Sequence, residues 1–138
     1  RQTGRAEVAP STASTVDAQT NEVPKTSGTA LPGGLQTYGL PTLVDLGSNS
    51  CVPCKMMAPE LDALAKEYAG VLTVTVIDVY QNGSLAGYYR IQAIPTQIFF
   101  SPEGEELGRH LGFMSKDQMV AAWASFGYEL QPAAAGTP

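Results

Sequence analysis

Thr42 to Lys55, TLVDLGSNSCVPCK, decides how the rest of the chain is read. Its first six residues, Thr42 to Gly47, are a short and mostly apolar run, the pattern of a buried strand. Just beyond it the period changes. Met57, Leu61, Leu64 and Tyr68 fall at i, i+4, i+7 and i+11, one face of a helix. Pro53 suits the first turn of that helix, where a missing N–H leaves no hydrogen bond unmade, and Gly70 stops it. Pro59 lies well inside and predicts a kink, because it removes a backbone hydrogen bond. Two cysteines, Cys51 and Cys54, therefore sit where a strand passes into a helix.

Reading outward, Val71 to Val79 (VLTVTVIDV) is rich in β-branched residues and predicts a central strand. A short helix is expected over Ser84 to Arg90 and a strand over Thr96 to Phe100 (TQIFF). Ser101-Pro102-Glu103-Gly104 has Pro second and Gly fourth, as in a type I turn, and leads to an antiparallel partner near Leu107 to Phe113. The last helix opens on Ser115 and Gln118, the spacing of a capping box. Met119, Ala122, Trp123 and Phe126 form its stripe, and Gly127 ends it. The order β-α-β-α-β-β-α gives a parallel pair with a helical crossover, then a hairpin and a covering helix, an α/β fold.

The flanks read differently. Fifteen of residues 1–33 are Ser, Thr, Pro or Gly and none is aromatic. Such a segment buries too little apolar surface to offset its conformational entropy, which predicts a disordered tether over 1–33. The folded domain is expected over 34–130, with a flexible Ala/Pro/Gly tail over 131–138. The formal charge of −5 falls wholly on the domain, since the tether's three basic and three acidic residues cancel. An acidic chain lacks the basic face that binds nucleic acid. The longest strictly apolar stretch, Met119 to Ala124, is far short of the roughly 20 residues that span a bilayer. The chain opens on Arg1, so a signal peptide or membrane anchor ahead of it is one expectation.

Two cysteines are too few for a disulfide scaffold. A Cys-x-x-Cys at a strand-to-helix junction is instead a redox candidate. Cys51 at a helix N-terminus meets unpaired N–H groups and the positive end of the macrodipole, which favour a thiolate. Cys54, one turn along, is shielded behind it and placed to resolve a mixed disulfide. Lys55 adds a positive charge, and Pro53 removes one donor. A zinc site of Cys51, Cys54, His110 and a carboxylate lacks spacing for its second ligand pair. A purely structural disulfide across so short a loop gains little chain entropy.

With Pro59, Asp45 six residues before Cys51, Ile94-Pro95-Thr96, Gly112 and Ser115-Lys116, the Cys51-Val52-Pro53-Cys54-Lys55 motif resembles the thioredoxin-like thiol–disulfide oxidoreductases. The likeness runs from about Thr42 to Phe126. It implies a central mixed four-stranded sheet flanked by helices, and no cofactor beyond the Cys51–Cys54 pair. It implies that Pro95 is a cis-proline opposite the cysteines, leaving the Ile94 backbone free to pair with a substrate segment. Val52 and Pro53 would share in substrate binding. Asp45 would be a buried acid, its pKa raised by burial, that takes the proton from Cys54.

Some positions depart from the family. Ser50 stands where an aromatic usually precedes the first cysteine, and Gly47 replaces a second aromatic. Val76 stands where a lysine often neighbours the acid, so Asp45 is expected to hold its proton to higher pH. Trp123 reads as core, Tyr88 and Tyr89 as packing residues, Met57 as core and Met56 as rim. The parity of Leu107, Leu111 and Phe113 turns His110 toward solvent.

The expected reaction is disulfide exchange, with Cys51 attacking a protein disulfide and Cys54 resolving. The Val52-Pro53 dipeptide is similar to that of extracytoplasmic reductases serving cytochrome c maturation. It implies a periplasmic or membrane-tethered reductase fed by a membrane electron donor. The small acidic domain suggests a monomer. A cytosolic general thioredoxin, an oxidase or isomerase, and a non-catalytic binding module remain open alternatives.

Overall fold

The strand-to-helix stretch folds as its periods require. In the computed structural model, which describes residues 28–133, Thr42–Gly47 is a strand (β3) buried at every position. Cys51 caps a helix over Val52–Glu67 (α1). That helix runs unbroken through Pro59, so the expected kink is not a break. Its stripe of Met57, Leu61, Leu64 and Tyr68 is buried throughout. Thr73–Asp78 (β4) follows, then a short helix Gly83–Tyr88 (α2) and the strand Thr96–Phe100 (β5). Gly104 N donates to Ser101 O at 2.8 Å, closing the expected turn into Glu106–Leu111 (β6). The last helix, Lys116–Ser125 (α3), is capped by Ser115 in a full capping box with Gln118.

The four main strands lie in the order β4-β3-β5-β6. β3 runs parallel to β4 and antiparallel to β5, and β5 antiparallel to β6, so the sheet is mixed. β4 is thus an edge, not the central strand its β-branched run predicts. β-branching favours the pleat wherever a strand lies, and neighbours are set by topology. One face of the sheet packs Leu43, Phe99 and Leu72 against α1 and α3, with Met119 and Trp123 fully buried. The other packs Val44, Leu46, Ile77, Ile98 and Phe100 around Tyr89. Each such side chain contributes roughly 1.5–3 kcal/mol by leaving water.

The domain begins before the expected boundary. Ala30–Leu31 (β1) pairs with Leu35–Gln36 (β2) across a single turn. Leu31 is buried in the second core, the Tyr89 hydroxyl donates to Pro32 O at 2.7 Å, and Thr37 Oγ1 donates to Pro102 O at 2.8 Å. Residues 28–33, expected as tether, therefore belong to the fold. A run so rich in Thr, Pro and Gly shows no period, yet one leucine and a few backbone bonds suffice to hold it. At the other end, Ala133 N donates to Glu67 O at 2.9 Å, so the first tail residues lie on α1. The tether over 1–27 and the tail over 134–138 lie outside the described residues.

Candidate active site

Cys51 and Cys54 are joined as a disulfide, with Cα atoms 5.2 Å apart. The connection from β3 explains their placement. Val79 N bonds Gly47 O, Ser50 N bonds Ser48 Oγ, and Asn49 N bonds the Asp78 carboxylate, so the loop is tied to both strands beneath it. Ser48 and Ser50 share a 3.0 Å hydroxyl contact. Pro53 occupies the first turn of α1, as expected. Cys51 is the N-cap, and its Sγ accepts from Cys54 N at 3.3 Å. The Cys54 N–H and the helix dipole thus converge on this sulfur and favour it as a thiolate once the disulfide is reduced. Cys51 is half-buried while Cys54 is buried, so the two sulfurs differ in access.

Asp45 lies on β3 beneath them and is almost fully buried. Desolvation raises its carboxyl to about 6, against a downward pull from a Gln97 hydrogen bond. Gly47 sits between acid and cysteine. A Cβ added there would lie 2.9 Å from Cys54 Sγ and 3.6 Å from Asp45 Oδ2. A cavity of about 470 Å³ opens at this point, lined by Asp45, Gly47, Cys54, Leu61 and Val76 among others. Val76, the register partner of Asp45 on β4, is 61% exposed. No charged side chain reaches the acid from that register position.

The Ile94–Pro95 bond is cis. Pro95 O accepts from Gly112 N at 2.8 Å, whereas Ile94 carries no backbone bond among the described residues. Val52 is largely exposed beside Cys51, and Met56 is exposed on the same helix. Trp123, Met57 and Tyr89 are core, as expected, but Tyr88 is exposed.

His110 is the main correction. It is half-buried and its Nδ1 lies 2.9 Å from Gln97 Oε1, while Leu111 and Phe113 are exposed. The reason is a β-bulge: Phe99 pairs with Gly108 but Phe100 with Glu106, which reverses the parity read from Leu107. Gln97, missed from the sequence, is fully buried beside Asp45. An amide side chain between Thr96 and Ile98, in a strand that ends Ile98-Phe99-Phe100, was the one available signal.

A half-buried N-cap sulfur bonded to a buried partner, with a buried carboxylic acid behind, is a thiol–disulfide exchange site. A Thioredoxin family model matches residues 34–125, well over half of the chain, and the protein belongs to the thioredoxin family. Thioredoxin of Staphylococcus epidermidis is 40% identical over 78 residues, covering 56% of this chain and 74% of that protein. Thioredoxin of Staphylococcus aureus is 39% identical over the same length. The crystal structure of chloroplastic thioredoxin z superposes with a TM-score of 0.59 at 30% identity, covering 64% of this chain and 80% of that one. A structure described as a malarial protein, at 24% identity and a TM-score of 0.60, shares the fold. The chain is a thiol–disulfide oxidoreductase acting on protein thiols and disulfides.

Proposed function

We propose that this domain works as a reductase of protein disulfides with Cys51 as nucleophile. The observation that supports this most is the difference between the two sulfurs: Cys51 caps α1 and reaches solvent, whereas Cys54 is buried behind it. In the dithiol form, the Cys51 thiolate attacks one sulfur of a substrate disulfide. The substrate S–S bond breaks, a Cys51–substrate S–S bond forms, and the departing thiolate takes a proton from water. The Cys54 thiol then gives its proton to the Asp45 carboxylate and attacks Cys51 Sγ. The mixed disulfide breaks and the Cys51–Cys54 bond forms. The substrate leaves as a second thiolate, protonated by Asp45 or by water. Two electrons pass to the substrate, and both of its sulfurs end as thiols.

Val52 and Pro53 shape the surface beside Cys51, and the backbone of Ile94, before Pro95 and without a backbone bond among the described residues, is available to an extended substrate strand. The Val-Pro dipeptide and the Ser/Thr/Pro/Gly-rich residues 1–33 support an extracytoplasmic setting, periplasmic or membrane-tethered, with a membrane electron donor and a role in cytochrome c maturation. Equilibration with a glutathione redox buffer tests the direction of flow. A potential near or below that of thioredoxins, roughly −270 mV, is expected. One near −120 mV, where strong oxidants lie, would make the domain an oxidase.

A further inference from the structure

Asp45, Gln97 and His110 form one polar line across the sheet. They are register partners on β3, β5 and β6, so their side chains share one face. Gln97 is completely buried, and its amide is fully engaged. Nε2 donates to Asp45 Oδ1 at 3.1 Å and to Met57 Sδ at 3.1 Å, while Oε1 faces His110 Nδ1 at 2.9 Å. A carbonyl oxygen only accepts, so Nδ1 carries the hydrogen in this arrangement. Were the amide turned over, its oxygen would face the carboxylate. Once ionised, the carboxylate only accepts, so it sets the sense of the amide, and His110 takes the tautomer that donates to Gln97 Oε1.

Burying an amide is unfavourable unless each of its groups is bonded, and an apolar residue at this position would avoid the problem. The bonds made here lead to the acid. They hold Oδ1, leaving Oδ2 on the side of Gly47, where Cys54 Sγ also lies. We propose that Gln97, held at its other end by His110, is the positioning residue that aims Asp45 at Cys54 and favours its ionised form. The proposal rests on the reading of Asp45 as the base for Cys54. The charged groups around the acid are Lys55 and Asp62 of α1 and Asp78 of β4, all lining the same cavity, and the titratable side chain facing it from β6, through Gln97, is His110.

The test uses the full chain in its reduced form, with Gln97→Leu, Gln97→Met and His110→Ala, and Ile98→Val as a control on the opposite face. Carbon-13 NMR follows the Asp45 carboxyl against pH. Stopped flow follows resolution of a Cys51 mixed disulfide over the same range. Removing the amide donor should raise the Asp45 midpoint by about one pH unit, the scale of a hydrogen bond to a charged group. The resolution profile should move by the same amount, with its rate recovered at high pH. His110→Ala should move both in the same direction by less. Gln97→Met keeps the volume and supplies the measurement if the leucine variant does not fold. An unchanged midpoint in folded variants, or an equal shift in Ile98→Val, would overturn the proposal. If Asp45→Asn resolves at the wild-type rate, Asp45 is not the base, and the carboxyl titration still decides whether Gln97 holds it.

Discussion

Asp45 Oδ2 and Cys54 Sγ approach the same point in space, the one a side chain at Gly47 would occupy. The acid and the resolving sulfur are thus neighbours with no bulky residue between them. The site's pH behaviour follows from this pairing.

Asp45 gives the first prediction. Its carboxyl lies at about 6 in the fold, against an ordinary value of 3.8. Between those two values the native protein holds more protons than the unfolded chain, so stability falls as pH rises and the contribution is gone above about 6. Asp45→Asn cannot ionise. It should stabilise the oxidised protein at pH 7.5 by on the order of 2–3 kcal/mol and match wild type near pH 4. Urea denaturation at the two pH values checks this. A variant less stable than wild type at pH 7.5 would contradict it.

The same carboxyl sets a rate. Cys54 needs an ionised acceptor, so resolution of a Cys51 mixed disulfide should accelerate as pH rises through about 6. Asp45→Asn should flatten that rise and slow resolution by roughly 10²-fold or more near pH 7, the scale of general base catalysis. Stopped-flow measurements between pH 5 and pH 8 read both effects.

The start of the domain is tested by Leu31, which is 5% exposed within the core around Tyr89. Leu31→Ala should cost about 2–4 kcal/mol, as for a buried leucine, measured by chemical denaturation. A cost below about 0.5 kcal/mol would return Leu31 to the tether.

At the other end, Ser115→Ala removes the side chain that accepts from Gln118 N at 3.2 Å. It should lower stability by about 1 kcal/mol and leave disulfide reduction unchanged, since the cap belongs to α3 and not to the cysteine site.

Much of this was legible in the residues. Thr42–Gly47, Thr96–Phe100 and the Ser115 cap were readable to the residue, because apolar runs and cap chemistry are local. Cys51 and Cys54 were readable because motif spacing fixes them against a strand and a helix, and the burial of Asp45 because the resemblance to the thioredoxin-like family implied it. What escaped was non-local. The edge position of β4 depends on which strand pairs with which. Inward-facing His110 depends on a bulge between two strands, and a parity count along one strand cannot show it. Gln97 draws its meaning from two residues far away in sequence, Asp45 and His110. The short hairpin around Pro32 carries no period at all.

The most direct test of the account is a trap. Cys54→Ser, reduced and mixed with an excess of a disulfide-bonded protein substrate, should form one covalent adduct per chain. Peptide mapping should place it at Cys51, and dithiothreitol should release it. Cys51→Ser treated in the same way should give little or none. A folded Cys54→Ser protein that forms no adduct, or a Cys51→Ser protein that captures substrate through Cys54 as readily, would contradict Cys51 as the attacking sulfur.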